Sequence, residues 1–168
     1  MLFRSIARLD SVLEETLKHA QTLGYQGRFE KLAPAIAENF DVEFMAEKVI
    51  GKYWKPLSDA DRARWVALFR EFTVANYAGN FDKYSGQRFE VLSQEPDQND
   101  TTVVHAKLID PGGEDVELNY RLHDTPAGPR IIDVYLKGTV SELALRRSDY
   151  TSVLERSEER RVGKECRL

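Results

Sequence analysis

Apolar residues along the first half of the chain recur every three or four positions. In residues 5–23, Ile6, Leu9, Val12, Leu13, Leu17 and Ala20 hold that spacing with Arg8, Glu14, Glu15 and Lys18 between them, which predicts an amphipathic helix stopped by Gly24. A second helix is predicted over 27–39, bent or broken by Pro34. Asp41 is a natural N-cap for a third, carrying Val42, Met45, Val49 and Ile50 and ended by Gly51. Ser58 with Asp61 opens the longest helix, on which Trp65, Leu68, Phe69, Phe72 and Asn76 fall on one stripe. Carried to Phe81, it would be roughly 30 Å long at 1.5 Å per residue. An aromatic stripe of that length needs a broad apolar surface to lie on.

The period changes to two after the Tyr84-Ser85-Gly86 turn. Phe89 and Val91, then Val104, Ala106 and Leu108, then Val116, Leu118, Tyr120 and Leu122 alternate with outward positions, as strands half-covered by a core do. Turns at 96–100, 111–113 and 125–129 are short enough for antiparallel hairpins. Residues 130–137 are apolar on both faces, which predicts an inner fourth strand. Gly138 ends it, and Ser141 with Glu142 opens a last helix bearing Leu143, Leu145, Tyr150, Val153 and Leu154. The expected fold is therefore α+β: helices, one of them long, on a four-stranded antiparallel sheet, with a C-terminal helix. One domain is expected over residues 1–156, with 157–168 a disordered or non-native tail.

Composition narrows the function more than the fold. The chain has 168 residues, a net charge of −4 and 42% hydrophobic residues, so it can bury a core of its own and carries no basic footprint for nucleic acid. No run of about 18 apolar residues is present to span a bilayer. The opening MLFRSIARLD does not read as a complete secretory signal, and the lone Cys166 has no internal disulfide partner.

Candidate chemistry is sparse. His19, His105 and His123 have no metal-ligand spacing, and GxSxG, P-loop and GxGxxG motifs are all absent, so neither a metal nor a nucleotide cofactor is expected. Asp133 interrupts an apolar strand. It is either an inward general base or a carboxylate turned outward or paired with an arginine such as Arg121. The facing aromatic and aliphatic groups read equally as a filled core or as the walls of an apolar pocket between helix and sheet.

Specific stretches break that tie. FDVEFMAEKVIGKYW, TVANYAGNFDKYSGQRFEV, ELNYRL and IIDVYLKGTVSELALRRSDYTSVL, in this order and spacing, resemble the toluene-tolerance auxiliary, or MlaC-like, lipid-binding family over about residues 5–156. Phe40-Asp41, the turn at 84–86, and Asp133-Val134 followed by Gly138 carry much of that likeness. NFDKYSGQRFEV and DVYLKGTVSELALRRSDY are most similar to its hopanoid-biosynthesis-associated HpnM branch. The resemblance implies an NTF2-like outline, a curved sheet around an apolar cavity, and a periplasmic, monomeric, non-enzymatic carrier. Such a carrier would shuttle phospholipid or a hopanoid-type lipid between inner- and outer-membrane complexes as the substrate-binding component of an ABC-type system. The expected cavity lining is Phe69, Phe72, Tyr77 and Phe81 from the long helix and Phe89, Val91, Val104, Leu118, Tyr120, Val134 and Leu136 from the sheet, with Val140 and Leu143 beyond it. The rival reading is an NTF2-like enzyme with Asp133 or His105 as general base.

Overall fold

Helices α1 (Leu2–Lys18), α2 (Ala20–Asn39) and α3 (Val42–Ile50) lead through a single 3-10 turn (Gly51–Tyr53) to the long α4 (Asp59–Asn80). Strands β1 (Arg88–Asp97), β2 (Thr101–Ile109), β3 (Val116–Thr125), β4 (Gly128–Leu136) and β5 (Val140–Ser141) follow, and α5 (Glu142–Glu165) closes the chain. This computed structural model describes residues 2–165, so Cys166 lies outside the described residues.

Local chemistry explains most of the boundaries. The Asp41 carboxylate accepts the Phe44 N–H at 3.1 Å and starts α3, and the Ser58 hydroxyl accepts the Asp61 N–H at 3.1 Å and starts α4. The helix breaks at Gly24 as expected, where φ is +64° and ψ 178°, whereas the bend or break expected at Pro34 is not seen and α2 runs through it. Leu32, Ala35 and Ile36 are buried on either side of the proline, and that burial holds the turn despite the lost backbone hydrogen bond.

The sheet is antiparallel in the order β1-β2-β3-β4-β5. It has five strands rather than four, because Lys137 and Gly138 both take positive φ and fold Val140 back onto Leu136. Extra residues at Leu92 in β1 and Ile132 in β4 interrupt the register, and such bulges bend a sheet. Val104, Tyr120 and Val134 form one cross-strand row and Ala106, Leu118 and Leu136 the next, all on the helix-covered face. The core lies between that face and Ile6, Leu9 and Leu13 of α1, Leu32 and Ile36 of α2, and Phe69, Val74 and Ala78 of α4.

Two further expectations are corrected. The stripe on α4 does not face one partner: Phe69 is buried, but Leu68 is 57% and Phe72 49% exposed. Phe72 sits at the surface edge-on to Tyr150 of α5 and beneath the Arg146 guanidinium. The segment 157–168, read as a disordered or non-native tail, continues as α5 through Glu165.

Candidate functional site

Tyr77 and Phe81 stand four residues apart at the end of α4 and so share one side of its last turn. Tyr77 stacks on Phe81 at 5.9 Å between ring centroids, and Phe81 stacks on Phe89 of β1 at 6.2 Å, which joins the helix to the first strand. Behind these rings is a cavity of about 150 Å³, walled by the sheet residues Leu118, Tyr120, Val134 and Leu136, by Leu13 of α1, and by Asn76, Asn80 and Glu142. Seven expected lining residues therefore come together: Tyr77, Phe81, Phe89, Leu118, Tyr120, Val134 and Leu136.

Six do not line it. Phe69 and Val104 are fully buried in the core, while Phe72 and Val140 are exposed. Leu143 faces a groove on the opposite side of the sheet, and Val91 a groove of about 410 Å³ between α1 and β1. Phe89 lines both that groove and the cavity, so its ring stands between the two.

Polar groups at the cavity are few. The Tyr120 hydroxyl donates to Oδ1 of Asp10, 3.3 Å away. Asp10 is 4% exposed, and burial, opposed by the Tyr120 hydrogen bond and reinforced by nearby Glu14, pushes its carboxyl up to about 7. Burial also raises Glu142, although Arg146 donates to Glu142 Oε1 at 2.6 Å and opposes the rise. Desolvation raises both the Tyr77 and Tyr120 phenols. Of the residues the sequence reading passed over, Asp10 left the clearest signal: it lies four residues after Ile6 and three before Leu13, an acid on an apolar stripe.

The opposite face of the sheet holds a larger groove of about 660 Å³, lined by Phe44 and Lys48 of α3, Arg121 and His123 of β3, Asp133 of β4 and Arg147 of α5, among others. Asp133 is occupied there as a helix anchor. Its carboxylate accepts from the Ser141 hydroxyl at 2.5 Å and from the backbone N–H groups of Leu143 and Val134, at 3.1 and 2.8 Å. Arg121, its cross-strand neighbour, pairs with Asp97 instead. His105 meets Glu95 at 3.0 Å, away from the aromatic cavity. Neither candidate base of the enzyme reading stands in the cavity.

His123 is held by Asp41 at 2.7 Å. Among the described residues, no three His, Cys, Asp or Glu side chains group as a metal site, and no helix is long and apolar enough to cross a membrane.

The fold is similar to that of a phospholipid-binding protein from Ralstonia solanacearum solved in complex with a phospholipid. The TM-score is 0.80 at 16% sequence identity, over 92% of this chain and 88% of that one. The MlaC protein family matches residues 8–164, nearly the whole sequence and part of the segment read as a tail, and the chain belongs to that family.

Proposed function

We propose that the protein is a lipid carrier that takes the acyl chains of a phospholipid between α4 and the sheet. The observation that carries this reading is the cavity walled by the Tyr77–Phe81–Phe89 stack and the Leu118, Val134 and Leu136 side chains. The phospholipid held by the similarly folded Ralstonia protein supports it. At about 150 Å³ the cavity is smaller than the roughly 300–1,000 Å³ usual for small-molecule pockets. In this reading the chains enter by turning Phe89 aside, which joins the cavity to the 410 Å³ groove beside α1 and brings Val91 into the lining. Burying about ten methylenes at ~0.8 kcal/mol each contributes ~8 kcal/mol, from which association costs of several kcal/mol are subtracted, so micromolar binding requires more than ten methylenes to be covered.

We further propose a periplasmic location, transfer between membrane complexes, and affinity with the hopanoid-associated branch of the family. The NFDKYSGQRFEV and DVYLKGTVSELALRRSDY stretches support that branch. Native mass spectrometry of the purified protein, followed by organic extraction, tests the carrier reading. The expected result is a phospholipid-sized adduct that Leu118→Glu eliminates while the circular dichroism spectrum stays native. An adduct-free mass with no uptake from liposomes would overturn it.

A further inference from the structure

Asp10 is the unusual group in this molecule. It sits on the buried face of α1, 4% exposed, and its Oδ2 is buried with no hydrogen-bond partner among the described residues. Oδ1 has one partner, the Tyr120 hydroxyl at 3.3 Å. A carboxyl oxygen buried without a partner is costly, and a cavity meant only for hydrocarbon would gain by having leucine there. Tyr120 is itself part of the cavity wall, and Asp10 lines the adjoining groove behind Phe89. Tyr77, on the same wall, makes no side-chain hydrogen bond among the described residues, and Asp10 influences the ionisation of both phenols. Unfilled hydrogen-bonding capacity is thus gathered where the aromatic cavity meets the groove.

We infer that Tyr120 and Asp10 form an anchor for a hydrogen-bonding oxygen, a hydroxyl or an ester carbonyl, on the part of the lipid that enters the cavity. The inference rests on the carrier reading above. With the Tyr120 proton given to Asp10 Oδ1, the Tyr120 oxygen is free to accept from a lipid hydroxyl. With Asp10 protonated, its second oxygen donates to a hydroxyl or a carbonyl once Phe89 has moved aside. A chain without oxygen leaves both groups unpaired, so the site selects for the oxygenated cargo.

Competitive uptake from vesicles separates the sources. Phosphatidylcholine with hydroxystearoyl chains is set against its stearoyl counterpart, and stearoyl ester lipid against its ether-linked analogue, with bound lipid read by mass spectrometry. The expected result is a preference of about two- to tenfold, the worth of one hydrogen bond, for the member carrying the extra oxygen in one of the two pairs. The pair that responds identifies hydroxyl or ester carbonyl. Tyr120→Phe, which keeps the ring, and Asp10→Leu should bring the ratio toward one, and Leu145→Ala on the exposed side of α5 should leave it unchanged. Equal uptake in both pairs by the unsubstituted protein would overturn the anchor, and so would a preference that survives both Asp10→Leu and Tyr120→Phe. Uptake of none of these lipids would overturn the carrier reading itself.

Discussion

The two faces of the sheet carry their charged groups differently. On the face away from the main core, the 660 Å³ groove is the larger opening, but its ionisable groups are mostly committed. Asp133 accepts three hydrogen bonds, His123 is held by Asp41, and Arg121 is paired with Asp97 and lies over the Tyr135 ring, its buried Nε left unpartnered. These bonds tie α3, α5 and the β1–β2 hairpin to the sheet. On the helix-covered face the cavity is smaller and more greasy, and its polar neighbours are under-used, with Asp10 Oδ2 the extreme case. Volume alone would nominate the opposite side from the one proposed here. Spare hydrogen-bonding capacity beside an apolar wall is the better indicator, because stability alone gives no reason to keep it.

Substitutions can break or sharpen that contrast. The largest effect is expected at Asp10, whose folded value of about 7 lies above its ordinary 3.8. The folded state keeps a proton that the unfolded chain releases, so this group's contribution is complete below about pH 4 and is lost as pH rises through about 7. Asp10→Asn should remove that dependence and gain roughly 2–4 kcal/mol relative to the parent between pH 4 and 8, read from urea unfolding at each pH. A parallel pair of pH profiles would erase the contrast. Next is Asp133→Ala on the opposite face, which strips the first turn of α5 of its acceptor and should cost about 2–3 kcal/mol without flattening any lipid preference.

Trp65→Phe keeps the ring contacts but loses the Nε1–H bond to the Ala46 carbonyl at 2.8 Å. Its expected cost is about 1 kcal/mol in the same assay. His105→Ala, which touches only the exposed Glu95 pair, should stay within about 0.5 kcal/mol and leave lipid content unaltered. A large loss of bound lipid at His105 would return the polar face to consideration.

The chain's periodicities made much of this legible. The 3.6-residue stripe of α1, the caps at Asp41 and Ser58, the alternation through β1 to β3 and the apolar run of β4 follow from side-chain direction and backbone hydrogen bonding, which are local. What escaped is non-local. The helix survives Pro34 because its neighbours are buried by distant segments, and the two-residue strand β5 exists only through pairing with β4. Phe72 and Leu68 share the spacing of Phe69, but what decides their exposure is where α5 crosses, and no window along α4 encodes that. The cavity wall was half legible for the same reason. Residues at the end of α4 and on the inner rows of the sheet could be matched by period, whereas Asn80 and Glu142 enter it only through the way the elements meet.

The aromatic stack also bears on timing. In the proposed route one ring pair, Phe81 with Phe89, parts before a chain can pass the end of α4, and such a pair is worth about 0.5–1.5 kcal/mol beyond its buried area. The open form is then populated on the order of one molecule in three to one in ten, and apparent affinity is reduced by the same fraction. Cargo exchange would follow how often the rings separate rather than how often protein and membrane collide. A surface that held Phe81 or Phe89 aside would accelerate loading and unloading alike, with no change in the affinity of the open form.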